Sequence, residues 1–417
     1  MQALTKTQRY IRAILPTPMC LCLGVLAVLL TGCANGPRLA DPLRAIWVTR
    51  YDYKSADDVK QIVADCADAG FNAILFQVRG NGTSFYKSNF EPWAEEFNFE
   101  DPGFDPLALA IDLAHERDVA LHAWVNVMPA WRGPDPPAHP DQLYNKHPDW
   151  FWYDKDGNRQ PLNHKVGEHE RGWYASLNPC LPEVRDYLVG VFRDIASNYD
   201  IDGLHMDYVR FPNERVVPGE TIPDYPRDAR TLALYKADTG LTPGENADVW
   251  NQWRARQVTR LVTAIHAMLR ESNPHAILSA AVTSVPNRGA QSYFQDARTW
   301  VSDGVLDAAI IMNYSGNVNV FRERLKEWTP FQGEARIVPG LSIGRLSGDT
   351  GAEAAEKVKQ EIDIARATTG SFCVFAYASL FPTADAALDS IPAADQAKPG
   401  ATTGLLDYLQ ELAATDD

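Results

Sequence analysis

The sequence predicts a single α/β domain, a closed (β/α)8 TIM barrel, on three observations. From Leu43 to Phe381, eight short apolar runs alternate with longer amphipathic stretches, the rhythm of a parallel sheet covered by helices. The runs are almost continuously apolar, as strands buried on both faces require. No glycine-rich GxGxxG follows any of them, which argues against an open doubly wound sheet holding a dinucleotide.

Each element has its own signal. Arg44-Ala45-Ile46-Trp47-Val48 is the first strand. Ser55, with Asp58 three positions on, opens a helix as a capping box; Val59, Ile62, Val63 and Cys66 form its apolar face, and Gly70 ends it. The second strand covers 72–78. Asp105-Pro106 starts the next helix in cap-then-proline order, with Leu107, Ala110, Ile111 and Ala114 inward. Further strands are expected at 119–125, 201–206, 277–282, 306–312, 336–341 and 372–377, with helices at 182–198, 249–271 and 351–367. Two strand-to-helix connections, 127–181 and 208–245, far exceed the usual roughly two to six residues. These long βα3 and βα4 loops belong to the face where barrels build their sites. The first carries Trp131, Tyr144, Trp150, Phe151, Trp152, Tyr153, Trp173 and Tyr174. The barrel is expected over 43–390, and 391–417 as a C-terminal tail with a short closing helix near Leu405–Leu412.

The first residues read as a targeting segment. Lys6, Arg9 and Arg12 precede an apolar run from Leu21 to Leu30, closed by Leu30-Thr31-Gly32-Cys33. A bilayer-spanning helix needs about 20 apolar residues, so this shorter run reads as a secretory signal. The last four residues resemble the lipobox of bacterial lipoproteins. The expectation is a signal peptide over 1–32, lipidation of Cys33, and a linker over 33–42. The protein is then exported and lipid-anchored at the cell envelope, on the outer membrane facing the periplasm in a Gram-negative cell. Losing three cations takes the net charge from -15 to -18, so the lipid and not headgroup attraction holds it. The same acidity excludes general phosphate tracking on nucleic acid. The cysteines beyond Cys33, at 66, 180 and 373, lack metal-site spacing and read as small buried thiols, with one long-range disulfide as the alternative.

Side chains alternate along a barrel strand between interior and helical shell. One phase holds His122, Trp124 and Asn126 on the third strand, His205 and Asp207 on the fourth, and Gln77 and Arg79 on the second; Asn313 lies at the tip of the sixth. Polar groups are costly to bury unless bonded, so convergence of several at one end predicts a ligand site. Asp207, ending the fourth strand, is the leading carboxylate, and Arg79 or Arg210 would favour its ionised form. A glycosidase also needs a proton donor. Glu91, between Phe90 and Trp93, is the first candidate because aromatic neighbours would desolvate it; Glu214, Asp52 and Asp296 compete.

These residues match a known pattern. The stretches Phe76-Gln77-Val78-Arg79, Glu91-Pro92-Trp93, Pro102-Gly103-Phe104-Asp105-Pro106-Leu107, Leu121-His122-Ala123-Trp124-Val125-Asn126, His147-Pro148-Asp149-Trp150 and Asp202-Gly203-Leu204-His205-Met206-Asp207-Tyr208-Val209-Arg210-Phe211-Pro212 resemble the glycosyl hydrolase-like 10 family. These are exported bacterial proteins that include a division-site glycosidase acting on peptide-free peptidoglycan strands. The resemblance implies a (β/α)8 barrel that hydrolyses a glycan, with Asp207 as the fourth-strand carboxylate and Arg79, His122, Trp124, Asn126 and Arg210 as site wall. Where family members often have two adjacent acids, this chain has Asp207-Tyr208.

The expected function is that of a lipid-anchored glycoside hydrolase on an envelope polysaccharide, peptidoglycan glycan favoured. Asp207 is its nucleophile or base, Glu91 its acid, and Arg79, His122, Trp124, Asn126, His205, Arg210 and Asn313 its substrate contacts. No cofactor or metal is called for. A glycan-binding lipoprotein on the same barrel, without turnover, is the alternative. A metal-dependent hydrolase using His122, His205 and Asp207 is a weaker one, since HExxH spacing is absent.

Overall fold

The computed structural model describes residues 39–162, 174–211, 224–333, 335–345, 351–381, 402 and 404–416. The signal segment, Cys33, Trp173 and Glu214 lie outside these residues. Eight parallel strands close into a barrel: β1 (Arg44–Val48), β2 (Ala73–Arg79), β3 (Ala120–Asn126), β4 (Gly203–Asp207), β5 (Ile277–Thr283), β6 (Ala308–Met312), β7 (Arg336–Ser342) and β8 (Phe372–Phe375). Each pairs with its sequence neighbours and β8 pairs with β1. The predicted (β/α)8 TIM barrel is therefore what forms.

The two side-chain phases build two separate cores. Trp47, Leu75, Trp124, Ile310 and Val338, with the small Ala45, Ala73, Ala308 and Cys373, fill the interior. The alternate residues, among them Ile46, Ile74, Phe76, Leu121, Leu204, Leu278 and Ile337, pack under the helices. The predicted caps are present: Ser55 and Asp58 form the capping box, and Asp105 accepts from the Leu107 and Ala108 N–H groups ahead of Pro106.

The long βα3 connection folds back as an antiparallel ribbon of Pro129–Trp131 with Ala175–Ser176 before the helix Pro182–Asn198. The βα4 connection contains a helix of its own, Ala229–Thr239, ahead of Ala247–Ser272. Its capping signal, Asp228 accepting from the Thr231 N–H, is a local one that a search for long apolar periodicity passes over. At the other end of the barrel the C-terminal helix, Leu405–Asp416, joins the shell through Leu405, Leu409 and Leu412. Asp416 pairs with Arg44 at 2.9 Å and with Arg366 at 2.5 Å. A Cβ on Gly70, whose φ is +84°, would lie 2.5 Å from Ala413, so glycine serves both the turn and this approach. Cys66, Cys180 and Cys373 are free and buried, and no described helix is long and apolar enough to cross a membrane.

The helix Gly351–Thr369 buries Glu361 with neither carboxylate oxygen hydrogen-bonded. Burial pushes its carboxyl up to about 8 from an ordinary 4.5. The folded state therefore holds a proton that the unfolded chain releases, so stability falls as pH rises through that interval. Glu361→Met is expected to raise the melting temperature at pH 8 by roughly 2–5 °C and to flatten the stability slope between pH 5 and 8; an unchanged slope would refute the assignment.

Candidate active site at the barrel mouth

Register brings the predicted residues of β3 and β4 side by side: His122 opposite Gly203, Trp124 opposite His205, Asn126 opposite Asp207. The lower two layers are structural. His205 accepts the Trp47 indole N–H on Nε2 at 3.0 Å and lies 2.9 Å from Ser279 Oγ through Nδ1. With Nε2 accepting, Nδ1 carries the proton and donates to Ser279. Burial takes His205 down to about 3 and His122 down to about 4, so both are neutral. His205 thus has no lone pair to offer a metal. Among the described residues no His/Cys/Asp/Glu cluster suited to a metal occurs.

His122 presses against Gly203, where a Cβ would lie 2.3 Å from Nδ1. Gly203→Ala is expected to cost about 1–3 kcal/mol by overpacking, measured by urea unfolding. The loss should shrink in a His122→Ala background, and equal losses in both backgrounds would refute this contact as the cause.

Trp124 donates its indole N–H to Asn126 Oδ1 at 3.1 Å, and Asn126 Nδ2 donates to the Gly80 carbonyl. Both are buried and stand as floor and not as an open stacking face. Asn313 also turns from the interior, donating to the Phe321 carbonyl at 2.9 Å in the helix Val318–Trp328. It follows Met312 at the end of β6 and so takes the outward phase.

Arg79 and Glu91 form a sealed pair. Both side chains have 0% exposure, and Arg79 Nε and Nη2 donate to Glu91 at 2.7–3.0 Å. Arg79 Nη1 turns to the carbonyls of Asn126, Val127 and Pro129, tying β2 to the start of the ribbon. Glu91 is desolvated, but Phe90, one of the aromatic neighbours expected to cover it, is 42% exposed, and the Arg79 guanidinium occupies both carboxylate oxygens. Proton donation by Glu91 and ligand contact by Arg79 both conflict with this burial. The competing acids are also engaged: Asp52 accepts from the Thr49 N–H at 2.6 Å and hydroxyl at 3.0 Å, with burial pushing it up to about 7, and Asp296 accepts from Thr299 Oγ1.

Asp207 occupies the rim. Its Oδ1 accepts from the Tyr208 N–H at 2.6 Å and lies 3.4 Å from Arg210 Nη1. Burial pushes the carboxyl up, while the Arg210 charge and the Tyr208 N–H pull it partly back. Tyr208 follows with φ +51°, a left-handed conformation that a non-glycine residue holds only under constraint. Its ring meets Tyr174 at 5.4 Å and lies 4.7 Å from the Arg210 guanidinium. Beyond it stand Arg50, Tyr51 and Arg132, which the sequence analysis did not single out. Arg50 and Tyr51 lie two and three residues past the end of β1, a near-tip position that could have found them; Arg132 depends on how the ribbon folds back.

Comparison with known proteins agrees with this architecture. The chain is 26% identical over 301 residues to Glycosyl hydrolase YngK of Bacillus subtilis, covering 64% of this chain and 52% of that protein. It is 24% identical over 323 residues to Glycosyl hydrolase DigH of Escherichia coli K12, covering 66% of each. The chain thus spans about half to two thirds of the length of these relatives. Among solved structures, the PgaB (BpsB) glycoside hydrolase domain from Bordetella bronchiseptica superposes with a TM-score of 0.59 at 14% identity, covering 86% of this chain and 99% of that one. The catalytic domain of a β-amylase from Paenibacillus polymyxa gives 0.57 at 11% identity, covering 89% and 99%. These two show the shared barrel. The glycosyl hydrolase-like 10 model matches residues 42–361, and the chain belongs to that family.

Proposed function

We propose that this protein is an exported, lipid-anchored glycoside hydrolase that uses Asp207 to cleave a cell-envelope glycan, peptidoglycan strands by preference. The observation that carries the reading is a carboxyl at the C-terminal end of β4, raised by burial and set among tyrosines and arginines at the mouth. Membership of a glycosyl hydrolase-like family supports hydrolysis of a glycan as the reaction class. The lipobox-like Leu30-Thr31-Gly32-Cys33 supports the anchor, which would hold the enzyme beside the wall.

Asp207 acts as the general acid. Burial favours its neutral form, which protonates the leaving glycosidic oxygen while water bonds to the anomeric carbon in its place, the proton the water releases restoring the acid. Arg210 and the Tyr208 N–H then stabilise the carboxylate left behind. With Glu91 sealed against Arg79, the acid role passes to Asp207. Tyr51 and Tyr208 are half-buried and present ring edges and faces to a sugar. The same sealing of Glu91 favours the second reading, a glycan-binding protein without turnover.

Digestion of peptide-free and peptide-bearing wall glycans by the protein, with products sized by mass spectrometry, tests the proposal. Shortened peptide-free strands are expected. Binding without shortening would leave the second reading, and neither binding nor shortening would overturn both.

A further inference from the structure

The arginines at the mouth serve more than Asp207. Arg50 is buried and fully engaged: Nε donates to Glu96 at 3.2 Å, Nη1 to the Tyr174 hydroxyl at 3.3 Å, and Nη2 to the Tyr51 hydroxyl. Its guanidinium also lies 4.2 Å from the Tyr51 ring centroid. Gly80 makes room for this arrangement, since a Cβ there would lie 2.3 Å from Arg50 Nη1. The Arg132 guanidinium lies 5.3 Å from the Tyr174 ring centroid.

The Tyr174 oxygen thus accepts from Arg50, and a second guanidinium, that of Arg132, stands beside its ring. Its own O–H proton remains to be donated, and no described residue takes it. Burial pushes the phenol up, but Arg50 and Arg132 outweigh it and the net shift is downward, so this proton is readily shared. Glu96 answers the charge of Arg50, and Arg210 lies 3.4 Å from Asp207. Arg132 has only tyrosines as its leading charge partners. Among the described residues the result is a surplus of N–H and O–H donors with, in Arg132, a cation that no carboxylate pairs with, in a chain of net charge -15. Arg132 and Tyr51 are half-buried, so the donors reach solvent. Such a set fits an acceptor-only, negatively charged group.

We propose that Arg132, Tyr174 and Arg50 form a subsite for a carboxylate carried on the glycan, so that the enzyme prefers an acidic polysaccharide to its neutralised form. The inference rests on the glycan reading above. Arg132 supplies the charge and the N–H fork, Tyr174 donates its O–H, and Arg50 holds Tyr174 in place. A lactyl ether carboxylate on an amino sugar and a uronic acid both offer this chemistry.

The test uses the full chain carrying Asp207→Asn, so that ligands survive. Calorimetric titrations compare an N-acetylglucosamine/N-acetylmuramic acid tetrasaccharide and a tetragalacturonate with their carboxyl-amidated forms. At least one acid is expected to bind about 10- to 100-fold more tightly than its amide, the effect of a charge-assisted hydrogen-bond set. Which acid does so identifies the source of the carboxylate. Adding Arg132→Met should abolish the preference, lowering affinity for the acid far more than for the amide, and Tyr174→Phe should reduce it. Should Arg132→Met fail to fold, Arg132→Lys serves in its place, expected to lose most of the preference for want of the fork. Equal affinity for acid and amide overturns the subsite and leaves the glycan reading standing. A preference that survives the Arg132 and Tyr174 substitutions overturns the assignment to these residues. Absence of binding by every oligosaccharide overturns the glycan reading and the subsite with it.

Discussion

Asp207→Asn is expected to lower kcat/KM on a natural glycan on the order of 10²- to 10⁴-fold without changing the near-ultraviolet circular dichroism. The amide keeps the shape and one acceptor for the Tyr208 N–H, but it has no proton to give. The loss should largely vanish on a 2,4-dinitrophenyl glycoside of the same oligosaccharide, whose leaving group departs without protonation. An equal loss on both substrates would make Asp207 a nucleophile and refute the acid role. The pH profile supplies the sign. Since the neutral carboxyl is the active form, activity falls as pH rises through a pKa that burial holds above the ordinary 3.8. Arg210→Met removes the charge that pulls this pKa down, so the falling limb should move to higher pH.

The second large effect lies at the Arg79–Glu91 pair. Removing one partner leaves a charge with 0% exposure and no counter-ion, a loss of about 3–5 kcal/mol. Arg79→Met also strands the carbonyls of Asn126, Val127 and Pro129, so it should cost more than Glu91→Leu. The double variant should be less destabilised than the sum of the two single ones, because it buries no unpaired charge. Denaturant unfolding of the four proteins closes the cycle; strict additivity would show that the two side chains do not act as a pair.

The fold was legible because the signals were local and repeated. Each strand from Arg44–Val48 to Phe372–Phe375 declared itself by an apolar run, and the capping residues Ser55 and Asp105 marked helix starts. The inward phase of β3 and β4 was legible for the same reason, since alternation fixes which side chains share a face. Depth was not. His122, His205 and Asp207 share a phase, yet only Asp207 sits high enough to touch Arg210 and Tyr208, while His205 is held by Trp47 and Ser279 below it. The Arg79–Glu91 pair joins a strand bulge to a loop twelve positions on, and no spacing rule links those two. The Arg50–Tyr174–Arg132 group depends on a ribbon that returns across the mouth, and such long-range closure leaves no periodic trace.

The chain enters the barrel at its foot. Arg44 begins β1 beside Asp416 of the last helix, and Arg336, at the start of β7, pairs with Asp41 at 3.3 Å. A tether joined upstream therefore pulls on the end opposite Asp207. Attachment through an upstream lipid, as proposed above, would therefore leave the opening at Asp207 on the far side of the barrel from the point of attachment.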